Sequence, residues 1–314
     1  MQKKVRIALL DDYQGVALQM ADWTFVQERA EVVVFNDHLD DLDALAERLA
    51  PFEVVSVMRE RTPLPRALLE RLPNLRLIAS TGPRNASIDV DAARDLGIQI
   101  AHTGYFSDPT IEFSWALILA SARDIVGEAN SVRTGGWQRS VGIGLRGKTL
   151  GVLGLGNIGR EVARIAQAFG MNVVAWSQHL TVEQATAVGA VRVEKDELFA
   201  QADFLTIHLV LSTRTRGLVD ARMLALMRPT AHLINTSRGP IVDETALLDA
   251  LREGRIAGAA IDVFGTEPLA PDHAFRSQAN LLATPHLGYV SQELYRTFYG
   301  DTVRNIRDWL EKPS

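Results

Sequence analysis

The chain has 314 residues, with 33 Lys and Arg against 38 Asp and Glu and a formal charge of −5. Its 47% hydrophobic and 23% charged residues exclude wholesale disorder, and its length fits two domains, each able to bury a core. A pI near 5.8 argues against a general nucleic-acid binder, while zero Cys excludes disulfides, thiolate nucleophiles, iron–sulfur clusters and Cys-type zinc sites.

The opening, MQKKVRIALLDD, is basic, but Asp11 and Asp12 end its apolar run. A secretory core needs about 7–15 apolar residues. VRIALL from Val5, EVVVF from Glu31, FEVVSVM from Phe52, LRLIAS from Leu75 and IQIAHT from Ile98 then read as strands. Between them Leu42, Leu45 and Leu49, and later Leu68, Leu69 and Leu72, recur at helical spacing. Next comes Asp108–Asn130, with a dense apolar run from Ile111 to Ala120. A helix apolar on nearly every side must be covered on every side, by the chain's own core or by another subunit. Its WALILASA stretch is far short of the roughly 18–20 residues of a membrane span. A second series of strands follows: TLGVLGLG, NVVAW, FLTIHL, AHLINT, GAAIDV and NLLATPH, with a final helix in TFYGDTVRNIRDWL. Strands separated by helices pair in parallel, because a parallel connection needs a crossover. The expected fold is therefore α/β, with two doubly wound parallel-sheet domains, in a soluble, cytoplasmic chain with no membrane or nucleic-acid partner.

The most informative local feature is the turn Gly154-Leu155-Gly156-Asn157-Ile158-Gly159, which follows a strand and opens a helix. GxGxxG alone is a weak signal, but this setting is the one its physics requires. Gly154 permits the tight turn, Gly156 lets backbone approach a pyrophosphate, and Gly159 lets helix pack on strand. The helix N-terminus, with Asn157 and Ile158 in its first turn, offers unpaired N–H groups and a positive dipole end to the phosphates. At the end of the next strand, where an acidic residue usually binds the ribose of NAD, the chain has Trp176-Ser177-Gln178-His179. Nothing there repels a 2′-phosphate, Ser177 can donate to one, and no Arg follows immediately. The expected cofactor is NAD or NADP, with a weak or reversed preference for NAD.

Three motifs end later strands: INTSRGPIVDE with Arg238, IDVFGTEP with Glu267, and TPHLG with His286 and Gly288. In an open parallel sheet, ligand chemistry gathers beyond the carboxyl ends of strands. Reduction of a 2-keto acid needs a guanidinium to hold the carboxylate, an imidazolium to donate a proton and a carboxylate to fix its tautomer. Taken singly, each is an ordinary surface or turn residue; the set in order is what points to chemistry. His38, His179, His232 and His273 read as structural or solvated, and His102 and His208 as open. No His/Asp/Glu cluster has ligand spacing, so no metal site is expected, and no G-x-S-x-G elbow is present.

Through GLGNIG, HLVL, NTSRG, DVFGTEP and TPHLG, the chain resembles the D-isomer-specific 2-hydroxyacid dehydrogenases over nearly its whole length. The resemblance implies that Arg238 orients substrate, His286 is the acid/base and Glu267 its partner. It places Asp262 near the nicotinamide carboxamide, and Thr236, Ser237, His208 and Leu209 along the cofactor. It implies a Rossmann cofactor domain at 103–287, inserted into a flavodoxin-like substrate domain formed by 1–102 and 288–314, and a homodimer through Asp108–Asn130. Arg59 in VMRERT matches a cleft arginine. The loop Ser80–Asp89, with Thr81, Gly82 and Arg84, resembles the substrate-contacting loop, although GVGxDNID is more usual there. Val210 also stands where a Pro is common. The expected activity is NAD(P)H-dependent reduction of a glyoxylate- or hydroxypyruvate-type acid. A 3-phosphoglycerate dehydrogenase is the alternative, although the regulatory domain many of those append is not expected here. A dinucleotide-sensing, corepressor-like interaction protein is the alternative from another class.

Overall fold

The computed structural model describes residues 4–312. It forms two compact units, Met1–Phe106 with Ser291–Ser314, and Ser107–Val290. These divisions fall a few residues beyond those expected at 102/103 and 287/288, for local reasons. Thr103 Oγ1 accepts the Gly82 N–H at 2.7 Å and Asp301 accepts the Gly104 N–H at 2.7 Å, which ties the strand's exit to the first unit. At the other end Ser291 caps the final helix, Gln292–Leu310, by accepting the Leu294 N–H.

The first unit is a parallel sheet of β1 (Val5–Leu9), β2 (Ala30–Val34), β3 (Val54–Val57), β4 (Leu77–Ser80) and β5 (Gln99–His102), in the order β2-β1-β3-β4-β5. β3 and β4 are buried along their whole length, as apolar strands covered on both faces must be. The order reverses between β1 and β3, which makes their carboxyl ends the switch point where such sheets bind ligands. Asp11 and Arg59, the residues just beyond those ends, both have left-handed backbones, with φ of 57° and 53°.

The second unit contains β6 (Thr149–Leu153), β7 (Asn172–Trp176), β8 (Val191–Arg192), β9 (Phe204–Ile207), β10 (His232–Asn235), β11 (Gly258–Ile261) and β12 (Leu281–Ala283). All are parallel, in the order β12-β11-β10-β9-β6-β7-β8, the dinucleotide-binding arrangement with one added edge strand. β8 is not legible in the sequence: it is two exposed residues long, too short for any periodicity. The Asp108–Asn130 segment is not one helix. It divides into Asp108–Arg123 and Ile125–Arg133 at Asp124, whose φ is 44° and whose carboxylate accepts the Gly127 N–H. The first of these helices packs on β10, β11 and the Asn157–Ala168 helix, so most of its apolar surface is covered within its own unit. Among the described residues, no helix is long and apolar enough to cross a membrane.

Candidate active site

The glycine turn leaves β6 with Gly154 at φ +106°. A Cβ there would lie 2.7 Å from the His208 carbonyl carbon, so the turn and the exit of β9 press together only because residue 154 has no side chain. A Cβ on Gly159 would lie 2.1 Å from the Gly154 carbonyl oxygen, which is why the helix can sit down on the strand. Gly156 differs: nothing lies within 4 Å of its Cβ position, and no side chain caps the Asn157–Ala168 helix that follows it. Open space over backbone N–H groups at a helix start fits a dinucleotide pyrophosphate. At the exit of β7, Ser177 Oγ accepts the Leu155 N–H at 2.8 Å. That uses one acceptor position and leaves the Ser177 hydroxyl proton to donate elsewhere.

His208 is half-buried at the end of β9, with Nε2 2.9 Å from Thr206 Oγ1. Burial pushes its pKa down to about 4, so it is neutral at physiological pH. The neighbouring Leu209 carbonyl accepts the Ser237 hydroxyl, which ties the exit of β9 to the NTSRG loop. Within that loop, Asn235 Nδ2 donates to the Arg238 carbonyl at 3.0 Å and Asn235 Oδ1 accepts the Ser237 N–H at 3.0 Å. Thr236 Oγ1 lies 2.8 Å from Ser114 Oγ on the long helix below, and Ser114 also donates to the Thr110 carbonyl at 2.7 Å. The sequence hides Ser114, because it stands inside the densest apolar run of the chain.

Arg238 Nη1 donates to the Ser237 carbonyl at 2.7 Å. The next residue, Gly239, lies so close to Phe264 that a Cβ would fall 2.0 Å from the Phe264 carbonyl carbon. This contact sets the Arg238 loop against the DVFGTEP loop. There the Phe264 N–H donates to Glu267 Oε1 at 2.8 Å, and Glu267 Oε2 lies 2.6 Å from His286 Nδ1. Burial works to raise the Glu267 pKa, but the hydrogen bond and charge of His286, the Phe264 N–H and the nearby Arg238 outweigh it and hold the carboxyl below its usual range. An ionised Glu267 accepts the Nδ1 proton of His286, which leaves Nε2 on the far side of the ring. The side chains of His286 and Glu267 keep 21% and 28% exposure, enough to be reached by a small molecule.

Asp262 differs in setting. It has no exposed surface, and its carboxylate is engaged by the loop that carries His286 and Gly288. In the first unit, the candidates for substrate contact also come together. Arg59 donates from its N–H to Thr81 Oγ1 at 2.7 Å and from its guanidinium to the Thr81 carbonyl at 3.1 Å and the Arg84 carbonyl at 3.4 Å. That guanidinium occupies the space where a Cβ on Gly82 would be, 1.7 Å away. Among the described residues, no group of three His, Asp or Glu could hold a metal.

A parallel sheet with a glycine turn, an arginine loop and a carboxylate–imidazole pair along one edge defines a dinucleotide-dependent oxidoreductase. Residues 115–288 match the signature of the D-isomer specific 2-hydroxyacid dehydrogenase NAD binding domain, and the chain belongs to that family of enzymes. It is 43% identical to a glyoxylate reductase of Aeropyrum pernix over 236 residues, which covers 72% of this chain and 70% of that protein. It is 37% identical to a D-3-phosphoglycerate dehydrogenase of Methanocaldococcus jannaschii over 84% of this chain, but only 51% of that protein. The crystal structure of a phosphoglycerate oxidoreductase from Vibrio cholerae superposes with a TM-score of 0.92 at 35% identity, covering 97% of this chain and 98% of that one.

Proposed function

We propose that this enzyme reduces a small 2-keto acid of the glyoxylate or hydroxypyruvate type to its D-2-hydroxy acid, reversibly, with NADH or NADPH. The observation that carries the reading is the 2.6 Å contact of His286 with Glu267, beside the Arg238 loop. The reduced nicotinamide, when bound, supplies hydride. Arg238 holds the substrate carboxylate through charge-assisted hydrogen bonds and polarises the adjacent carbonyl. His286, protonated and held by Glu267 through Nδ1, gives the Nε2 proton to the carbonyl oxygen as negative charge develops there, and takes it back in the reverse direction. Glu267 fixes the tautomer and stabilises the imidazolium. Gly154, Gly156, Asn157, Ile158 and Gly159 cradle the pyrophosphate, Ser177 meets the ribose, and Arg59, Thr81, Gly82 and Arg84 contribute to the substrate side.

A cytoplasmic homodimer is the proposed assembly. Ile125, Val126, Val132, Trp137 and Val141 stand exposed, Trp137 at 74% and Val141 at 99%, on and just after the Ile125–Arg133 helix. Large apolar side chains left in solvent along one short stretch of chain suit a partner surface. Light scattering of the wild type and of Trp137→Ser tests this: a dimer that the substitution weakens supports it, and a wild-type monomer removes it.

Function is tested by crossing NADH and NADPH with glyoxylate, hydroxypyruvate, pyruvate, phosphohydroxypyruvate and a branched 2-keto acid. The expected result is the highest kcat/KM with glyoxylate or hydroxypyruvate. A clear preference for phosphohydroxypyruvate installs the second reading, 3-phosphoglycerate dehydrogenase, which the likeness to the Vibrio enzyme favours. Cofactor binding without turnover on any acid would point to a dinucleotide-sensing role.

A further inference from the structure

Arg160 follows the glycine turn, and its N–H closes the first turn of the Asn157–Ala168 helix on the Gly156 carbonyl at 3.0 Å. Long side chains on a helix point back towards its N-terminus. This one turns back far enough for Nε to donate to the Leu155 carbonyl at 3.3 Å. Leu155 is also the residue whose N–H donates to Ser177 Oγ at 2.8 Å. One buried residue of the turn thus gathers a guanidinium from the helix and a hydroxyl from the exit of β7. Residues 176–179 carry no arginine of their own, and the fold brings one to them from across the turn. The charges there suit an anion. Glu161, the carboxylate next in sequence, is drawn off to Arg164 at 2.6 Å, and among the described residues Nη1 and Nη2 of Arg160 make no hydrogen bond. The loop is also fixed in shape: the Ser177 carbonyl accepts the Leu180 N–H at 3.1 Å, Leu180 is buried, and Arg192 Nε holds its carbonyl at 3.0 Å.

We propose that Arg160 and Ser177 form a subsite for the 2′-phosphate of NADPH, and that Arg160 is the residue that sets cofactor choice. This rests on the reading of the chain as an enzyme that takes NADH or NADPH along its glycine turn. A guanidinium suits a phosphate because its planar fork offers two N–H groups at once. Arg160 keeps two nitrogens for that purpose, while Nε on the Leu155 carbonyl orders the side chain before the ligand arrives, so less freedom is lost on binding. Ser177 already accepts from Leu155, which leaves its proton for a phosphate oxygen. A free 2′-hydroxyl gains less here, since residues 176–179 hold no carboxylate to accept its proton.

Calorimetry on the full chain, with adenosine 2′,5′-bisphosphate and adenosine 5′-monophosphate as probes, reads the subsite without turnover. The wild type is expected to bind the bisphosphate about tenfold or more tightly than the monophosphate. In Arg160→Gln the bisphosphate should weaken about 10- to 100-fold and the monophosphate less than about threefold. Equal losses for both would place Arg160 at the 5′-phosphate or in the folding of the turn, and overturn the proposal. An unchanged bisphosphate affinity, or a wild type that binds the two probes alike, would overturn it as well.

Ser177→Ala covers the case in which Arg160→Gln does not fold. There the bisphosphate should weaken about 3- to 10-fold and the monophosphate less, while equal losses contradict the proposal. A further readout would not move if Arg160 were merely structural: the wild-type preference for the bisphosphate should shrink as salt is added, because it rests on charge at a half-exposed site. A preference indifferent to salt counts against the subsite. Neither probe is reduced, so the subsite can be demonstrated in a chain that reduces none of the acids tried. Its failure leaves the keto-acid reading standing, with NADH as the cofactor.

Discussion

Gly239 and Phe264 touch backbone to backbone, with the Cβ position of Gly239 2.0 Å from the Phe264 carbonyl carbon and 2.1 Å from its oxygen. Through this contact the loop of Arg238 and the loop of Glu267 share one position. No rotamer relieves it, because the obstacle is main chain. Gly239→Ala is expected to destabilise the chain by about 1–3 kcal/mol, the usual cost of overpacking, and to lower kcat/KM more than stability alone explains. Urea unfolding and keto-acid reduction on the same preparation check both; full activity in a stable Gly239→Ala enzyme would show that the loops need not meet.

Glu267 carries a depressed pKa in the folded chain, with His286 and Arg238 favouring its ionised form over the effect of burial. A depressed carboxylate contributes stability that is present above its ordinary pKa of 4.5 and is lost as pH falls through the lower folded value. Glu267→Gln should therefore be less stable than wild type at neutral pH, and the gap should close as the pH drops below about 4. Urea midpoints at pH 7 and in that acid range measure the gap; a constant difference would mean that the ionised pair is not its source.

Ser177 is the place to alter cofactor choice. Its Oγ already accepts the Leu155 N–H, and an aspartate can keep that contact while adding negative charge. Ser177→Asp is expected to favour NADH over NADPH by about tenfold or more relative to wild type, because a carboxylate repels a 2′-phosphate and accepts from a ribose hydroxyl. The ratio of kcat/KM for the two reduced cofactors decides it, and an unmoved ratio would place the ribose elsewhere.

In the first unit His38 is bracketed, with Nδ1 2.9 Å from Asp11 Oδ1 and Nε2 3.0 Å from Asp40 Oδ1. The hydrogen bond that His38 donates to Asp11 raises its pKa against burial, helped by the charges of both carboxylates. A raised histidine contributes stability that is fully present below its unfolded pKa of about 6.5 and is lost as pH rises through the folded value. His38→Gln should cost about 1–3 kcal/mol at pH 6 and much less at pH 9. Unfolding curves at the two pH values test the sign, and a larger cost at pH 9 would reverse it.

Most of this site was legible because its residues are named by their chemistry. Arg238, Glu267 and His286 each follow a short apolar strand, and the strand order needs only parallel pairing to bring them to one edge. Glycine positions were legible where they punctuate a known turn, as at Gly154 and Gly159. What could not be read depends on backbone angles or on contacts far along the chain. Ile125 and Val126 continue the apolar pattern past Asp124, so the left-handed break there leaves no trace in periodicity. The resemblance sets Asp262 beside the nicotinamide carboxamide, but nothing in IDVF announces that Thr284, Leu287 and Gly288 will donate to it. Ser114 meets Thr236 across 122 residues of sequence, a separation that no local pattern records.

The most direct test of the account is the rate of NADH oxidation in a single turnover, comparing wild type with His286→Gln on glyoxylate or hydroxypyruvate. The prediction is cofactor binding within about threefold of wild type and a turnover rate lower by about 100- to 10,000-fold at neutral pH, the range a positioned general acid supplies. A variant that oxidises NADH as fast as the wild type would contradict the assignment of proton transfer to His286, and with it the chemistry proposed for this site.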